Sequence, residues 1–183
     1  PRGTRLGDYR IDGVLGRGGF AITYLAHHVA LGQAVAIKEY FPSTCGRRSA
    51  DLTVRSTRAE FADGRGGFVD EGRRLAAIKH SNVVRVVNYF EAFGTAYLVM
   101  DHEAGDTLET LLKGGLRLSE AQVRALATSL LSALDTLHQQ KPAILHRDIN
   151  PSNVIIRPNG DPVLIDFGAA RSDLAQRTRT VTS

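Results

Sequence analysis

The stretch AILHRDINPSNVII, residues 143 to 156, sets His146, Arg147, Asp148, Asn150 and Asn153 between two apolar runs. Polar groups drawn toward an apolar interior lose hydration and must be matched by hydrogen bonds or charges. The segment therefore has to fold as an ordered polar loop held by its flanks, which requires a chain able to build a core around it. With 183 residues the chain has the length for one sizeable core or two small lobes. A content of 43% hydrophobic and 23% charged residues is that of a globular protein rather than a disordered one.

Residues 9 to 39 read as β-rich, with β-branched and aromatic residues in YRIDGVLG and FAITYLAHH around a glycine cluster, then the short buried-strand pattern AVAIKEY. Residues 42 to 67 are polar and glycine-rich and predict a long loop or insertion. The spacing of Leu75 and Ile78 predicts a helix from Val69 to Lys79. VVRVVNYFEAFGTAYLVMD then predicts two strands joined by a turn near Gly94. Beyond Asp101 the pattern turns helical. Asp106 with Glu109, and Ser119 with Gln122, have capping-box spacing. In the second helix Val123, Leu126, Ala127, Leu130, Leu134 and Leu137 share one face, which is expected to pack on a core. NVII and PVLID around RPNGD predict a hairpin. The boundary between a β-rich part, residues 1 to 100, and a helical part, residues 101 to 183, is expected near Met100. No internal repeat and no low-complexity segment is present.

The net charge of +4 comes from 23 basic and 19 acidic residues, scattered without a basic stripe interleaved with aromatics. That distribution gives nucleic-acid binding little support. Apolar runs are a handful of residues long, far short of the roughly 20 that cross a bilayer, so no membrane span is expected and a cytoplasmic setting is. The single cysteine, Cys45, allows neither an internal disulfide nor a thiolate metal site.

Four segments carry chemistry. LGRGGFAITYLA holds Gly16 and Gly18; two spaced glycines are most often only a turn, and a dinucleotide fingerprint would open a helix where this segment continues as a strand. A glycine loop between two strands can instead fold over a nucleotide, with its N–H groups near the phosphates and Phe20 as a flap. In AVAIKEY, Lys38 ends an apolar run; such a lysine is usually solvated, but beneath the glycine loop it becomes a point charge for phosphate oxygens, held by a carboxylate. Glu71 is the candidate. Glu60 competes, though ADGRGG after it is expected to break a helix. Asp148 stands five residues before Asn153 and eighteen before Asp166 of VLIDFGAAR. Each alone reads as a turn residue or a cap. Together, an acid placed as base and an Asn and an Asp with oxygens for Mg²⁺ form a set suited to phosphoryl transfer.

With these residues assembled, the chain resembles the protein kinases over almost its whole length, through the glycine loop at 16 to 21, VAIK at 35 to 38, HRD at 146 to 148, Asn153, and DFG at 166 to 168. HSN at 80 to 82, YLVMD at 97 to 101 and LH at 137 to 138 support the likeness, and KEYFPS followed by an insertion resembles bacterial Ser/Thr kinases. The resemblance implies an α+β, bilobal fold, with an antiparallel sheet and one main helix in the first lobe and a mostly helical second lobe that is incomplete here. It implies ATP and Mg²⁺ as cofactors, a protein substrate, and room for dimerisation of the parent protein. Asp148, Lys38, Glu71 and Arg147 take the catalytic roles. Gly16, Arg17, Gly18, Gly19, Phe20, Thr23, Ala36, Lys38 and Ile155 line the nucleotide, with Met100 as gatekeeper and Asp101, His102 and Glu103 as the hinge. Asn153 and Asp166 hold metal. Leu75, His146 and Phe167 match the stacked residues that link the lobes.

Three positions depart from the family pattern. Ala21 replaces a glycine, which costs little at a negative φ. Thr23 stands where valine is usual. Asn150 stands where Ser/Thr kinases commonly carry a lysine that contacts the transferred phosphate, and losing that cation is expected to lower the rate without abolishing it. A nucleotide-binding scaffold and a small-molecule phosphotransferase of the same fold are the alternatives; Lys38, Asp148, Asn153 and Asp166 argue against the first and Arg147 against the second. Arg147 also implies control by phosphorylation of a loop in which Thr178, Thr180, Thr182 and Ser183 are acceptors. The chain begins with Pro1 and ends in RTRTVTS, which reads as a fragment of a longer protein with little protein kinase activity of its own.

Overall fold

Period-two alternation of large apolar residues in the first forty positions builds a curled antiparallel sheet. In the computed structural model, which describes residues 2–47, 51–56 and 60–167, the elements of this part are β1 (Arg5–Leu6), β2 (Tyr9–Arg17), β3 (Ala21–His28), β4 (Ala34–Tyr40), the short pair β5 (Gly46–Arg47) and β6 (Val54–Arg55), α1 (Glu60–Ala76), β7 (Val86–Ala92) and β8 (Thr95–Asp101). The six-stranded sheet has the order β1-β2-β3-β4-β8-β7. Together with α1 it belongs to one compact unit, Pro1–Ala77 with Arg85–His102; Ile78–Val84 and Glu103–Ser183 form a second.

The two faces of the sheet have different partners. Ile22, Tyr24, Val35, Ile37, Tyr97 and Val99 form a core on one face with Leu6, Tyr9 and Ile11. On the other face Tyr40, Ala96 and Leu98 pack against Phe68 and Val69 of α1. Burying side chains of this size contributes roughly 1.5–3 kcal/mol each.

The helix starts nine residues earlier than the apolar spacing predicts, at Glu60 rather than Val69, and ends at Ala76 rather than Lys79. The glycines expected to break it lie inside it. Each costs about 1 kcal/mol relative to alanine, which the packing of Phe61 and Phe68 on the Tyr40 ring offsets. At Gly64 and Gly72 glycine is required for close approach, because a Cβ would run into the Tyr40 hydroxyl in the first case and the Leu98 side chain in the second. Part of the predicted insertion is thus helix, and the remainder carries β5 and β6.

A polar network interrupts the first core. Glu39, 1% exposed, follows Lys38 in β4 and points to the opposite face. Its Oε2 accepts from the Tyr24 hydroxyl at 2.7 Å and its Oε1 from the Tyr97 hydroxyl at 2.7 Å. The Arg47 guanidinium donates to both oxygens at 2.6 Å. Burial, then the adjoining carboxylate, pushes the pKa of both tyrosines well above its ordinary value of 10.0. Burial works against charge on Arg47, and the carboxylate more than offsets it, so the Arg47 pKa is raised.

In the second unit β9 (Asp106–Thr107), α2 (Leu108–Lys113) and α3 (Glu120–His138) precede β10 (Val154–Ile156) and β11 (Pro162–Leu164). The last two form the predicted hairpin, and the small sheet has the order β11-β10-β9. The cap of α2 is Thr107, whose Oγ1 accepts from the Thr110 N–H at 3.1 Å. Asp106 does not serve, because the helix begins at Leu108 and Thr107 is the residue immediately before it. The predicted box at Ser119 and Gln122 is formed in both directions. Along α3 the apolar face is covered toward its C-terminal end, where the helix meets β11. Leu137 is fully buried, Leu126, Leu130 and Leu134 are half-buried, and Val123 is exposed.

Two outcomes follow. In Gly72→Ala the new methyl group meets Leu98, so a loss of about 1–3 kcal/mol is expected by denaturant titration; wild-type stability would show that α1 does not depend on this approach. The raised tyrosine pKa values mean that the folded chain keeps protons the unfolded chain releases above about pH 10, so stability declines as pH rises beyond that point. The decline is expected to be shallower in Tyr24→Phe, measured between about pH 8 and 11, and equal slopes would dissociate it from Tyr24.

Candidate active site

The predicted site residues fall into two groups, one in each unit. In the first, β2 ends at Arg17 and β3 begins at Ala21, leaving Gly18, Gly19 and Phe20 as the turn, closed by Gly18 N–H donating to Ala21 O at 2.9 Å. None of Gly16, Gly18 and Gly19 has a positive φ. A Cβ at Gly16 or Gly19 would meet nothing within 4 Å, and one at Gly18 only Ala21 O at 3.8 Å. The chain's own packing therefore gives no reason for glycine here, whereas close approach of a ligand to the backbone would. Phe20 at the tip is 46% exposed, and Ala21 lies outside the positive-φ positions, so its methyl group is unstrained.

Strand register places Lys38 opposite Thr23 on one side and Leu98 on the other, while Ala36 pairs with Leu25 and Met100. Alternation then puts Thr23, Ala36, Lys38 and Met100 on one face of the sheet, opposite to Glu39. Lys38 is 7% exposed and Glu71, on α1, is 9% exposed. Both have interaction partners in the structure. The residue after Glu71 is Gly72, the point where α1 approaches Leu98, which is itself the strand partner of Lys38. Glu60 is the first residue of α1, eleven positions and about 16 Å of helix away from Glu71. Asp101 closes β8 with its N–H on Arg85 O at 3.0 Å, and His102 is exposed.

The second unit carries the opening stretch of the sequence. His146 is 1% exposed, with Nε2 2.9 Å from the Ile165 carbonyl and Nδ1 3.3 Å from the Asp148 N–H. Only the neutral ring with its proton on Nε2 satisfies both contacts, since a carbonyl must accept and an N–H must donate. The ring also packs on Phe167 at 4.6 Å between centroids. Through these contacts His146 holds the residues just before Asp166 and the backbone of Asp148.

Asp148 is held by two amide groups. Asn153 Nδ2 donates to its Oδ2 at 2.9 Å and to its backbone O at 2.9 Å. Asn150 Nδ2 donates to its Oδ1 at 2.8 Å. Because these partners are acceptors, the NH₂ end of Asn153 must face Asp148 and its carbonyl end must face away. Asn150 also caps the following 3₁₀ turn, its Oδ1 accepting from the Ser152 N–H at 2.9 Å. The departure at 150 is therefore a structural bridge between the acid and the turn, and Ser152 belongs to it; sequence reasoning assigned neither contact. Asx capping ahead of Pro151 was the available signal.

Asn153 and Asp166 come together through the hairpin. Val154 pairs with Leu164, and the Ile165 N–H donates to Asn153 O at 2.9 Å, so residues thirteen apart stand at the same end of two paired strands. Their oxygens are hard donors of the kind Mg²⁺ prefers, and two protein oxygens suit an ion that takes its remaining ligands from phosphates and water. Arg147 and Asp166 both have φ near +60°, at 63° and 60°, a conformation costly for residues other than glycine and concentrated at functional sites. Ile155 lies half-buried in the middle strand of its sheet. The Glu103 carboxylate is bound at both oxygens by Arg157, at 2.7 and 2.9 Å. Gly168 and the acceptors Thr178, Thr180, Thr182 and Ser183 lie outside the described residues. No helix among the described residues is long and apolar enough to cross a membrane.

Residues 9–182 match the family model described as protein kinase domain. A probable serine/threonine-protein kinase of Streptomyces coelicolor is 33% identical over 170 residues, 91% of this chain and 23% of that protein. Serine/threonine-protein kinase B of Synechocystis is 34% identical over 172 residues, 92% of this chain and 28% of that protein. The chain thus spans about a quarter of the length of these relatives. Among solved structures, PpkA-294 in its apo form superposes with a TM-score of 0.85 at 34% identity, covering 100% of this chain and 66% of that one. The kinase domain of Mycobacterium tuberculosis PknI gives 0.71 at 25% identity, covering 93% and 62%. With the family model spanning nearly all of its residues, the chain belongs to the protein kinase family and has the protein kinase fold.

Proposed function

We propose that the protein transfers the γ-phosphoryl group of ATP to serine and threonine hydroxyls of a protein substrate. The observation that carries this reading is the double amide hold on Asp148. Two neutral donors fix the direction of the carboxylate and leave a lone pair to accept a substrate hydroxyl proton. The substrate Oγ–Pγ bond forms, the bond from Pγ to the bridging oxygen of the ADP leaving group breaks, and the hydroxyl proton passes to Asp148. Lys38, held by Glu71, is the cation for the phosphates, and the backbone of Gly16, Arg17, Gly18, Gly19 and Phe20 approaches them. Thr23, Ala36 and Ile155 contact the purine, which Met100 and Asp101, His102 and Glu103 border. Asn153 and Asp166 are the residues that would hold Mg²⁺, which when bound supplies neutralising charge to the phosphate oxygens. Arg147 is the cation for a phosphorylated loop. ATP as donor and the free thiol of Cys45 fit a cytoplasmic setting. The serine/threonine kinases among the relatives support this choice of substrate.

In the parent protein, incorporation of radiolabelled phosphate from ATP is expected to fall by about 10²–10⁴-fold in Asp148→Ala. Equal incorporation by the variant would remove Asp148 from the chemistry. Asn150→Asp keeps the shape of the side chain but turns a donor into an anion facing the Asp148 carboxylate. It is expected to lower kcat at least about tenfold, with KM for ATP changed less than about twofold. A variant that lost ATP binding instead would place Asn150 on the nucleotide.

A further inference from the structure

The stretch that follows β4 is joined to the glycine loop by backbone hydrogen bonds. Phe41 N–H donates to Phe20 O at 2.9 Å and Ser43 N–H to Gly19 O at 2.8 Å. A peptide unit is planar and trans, so a carbonyl and the N–H of the next residue point in opposite directions. With the Gly19 and Phe20 carbonyls turned onto residues 41 to 43, the N–H groups of Phe20 and Ala21 must face away from that stretch. Loop orientation is therefore set by a partner outside the loop.

That partner is itself anchored. Arg47 spans both oxygens of the buried Glu39 carboxylate, donates a further bond to Leu52 O at 2.9 Å, and lies over the Phe41 ring at 5.0 Å. Farther along, Val54 N–H donates to Phe93 O at 2.7 Å, tying β6 to the turn between β7 and β8. At that turn Gly94 has a φ of +74°, and a Cβ there would meet Val54 O at 3.0 Å. Glu39 is the chain neighbour of Lys38, so the anchor acts on the strand that presents the candidate phosphate-binding cation.

We infer that Arg47 is a positioning residue for nucleotide phosphates: by latching onto Glu39 it holds residues 41 to 43 against the glycine loop and so fixes the directions of the loop's peptide groups. The inference rests on the reading that residues 16 to 21 bind ATP phosphates. It assigns a function to residues that follow the lysine strand and that sequence reasoning treats as an insertion. Its effect is specific to phosphate, because the purine-facing positions Thr23, Ala36 and Met100 make none of these hydrogen bonds.

Calorimetric titration of the protein with MgATP and, separately, with adenosine tests this. Wild type is expected to bind both. Arg47→Ala and Ser43→Pro are expected to bind MgATP about tenfold more weakly, the value of one lost hydrogen bond and its ordering, with adenosine affinity changed less than about twofold, and Arg47→Lys is expected to recover part of the loss. Ser43→Pro removes the N–H that reaches Gly19 without touching Glu39, so it decides the matter if circular dichroism shows Arg47→Ala to be unfolded. Variants that bind MgATP like wild type overturn the inference and leave the nucleotide reading standing. Equal weakening of ATP and adenosine also overturns it, because the role is then structural only. A wild type that binds adenosine but gains nothing from the phosphates overturns the nucleotide-loop reading itself, and the inference with it.

Discussion

A carboxylate in the middle of an apolar sheet face is tolerated only when its charge is answered locally, and Glu39 is the constraint on which the first unit depends. Its two oxygens receive two tyrosine hydroxyls and a single guanidinium nitrogen, Arg47 Nη2, shared between them. Removing one partner from such a buried pair is far costlier than never having built it, by about 3–5 kcal/mol. The network therefore holds β3, β4 and β8 in one register from the inside, since Tyr24, Glu39 and Tyr97 come from those three strands. In the same β4, one position earlier and on the opposite face, stands Lys38. Strand alternation lets a single strand turn Glu39 toward the core and Lys38 toward the face covered by α1.

The second unit solves a complementary problem, that of fixing the direction of a carboxylate with neutral donors. Asp148 is held by two side-chain amides, which fix the direction of its carboxylate. The amides are fixed in turn, Asn150 by the cap of the 3₁₀ turn and Asn153 by its place at the end of a hairpin. His146 completes the frame in its neutral form, bridging the Asp148 N–H and the Ile165 carbonyl. His146, Asp148, Asn150, Ser152 and Asn153 thus answer one another, which is how the stretch persists between apolar flanks.

Much of this was legible in the residues. Alternation in AVAIKEY, the hairpin signal at RPNGD, the capping box at Ser119 and the ordered spacing of Lys38, Asp148, Asn153 and Asp166 all rest on local chemistry, which sequence displays directly. The start of α1 was not legible, because helix propensity weighs each glycine alone and cannot register that Gly64 and Gly72 let the helix settle on Tyr40 and Leu98. The cap at Thr107 was missed for a related reason: Asp106 is an equally good capping residue by type, and only the position at which the folded helix begins, Leu108, decides between them. The Glu39 network left a trace, since period two from Val35 and Ile37 carries Glu39 to the core face, but its partner Arg47 lies in a stretch with no periodicity.

The sequence by itself determined which family the chain belongs to, because residue type and order along a strand or loop are enough to set a lysine, an acid and two oxygen donors in family-like order. Tertiary structure alone decided what holds those groups in place. Glu39 meets Arg47, Asn150 meets Asp148, and residues 41 to 43 meet the glycine loop through hydrogen bonds whose energy depends on direction and distance. Those quantities exist only once the strands have paired and the loops have closed.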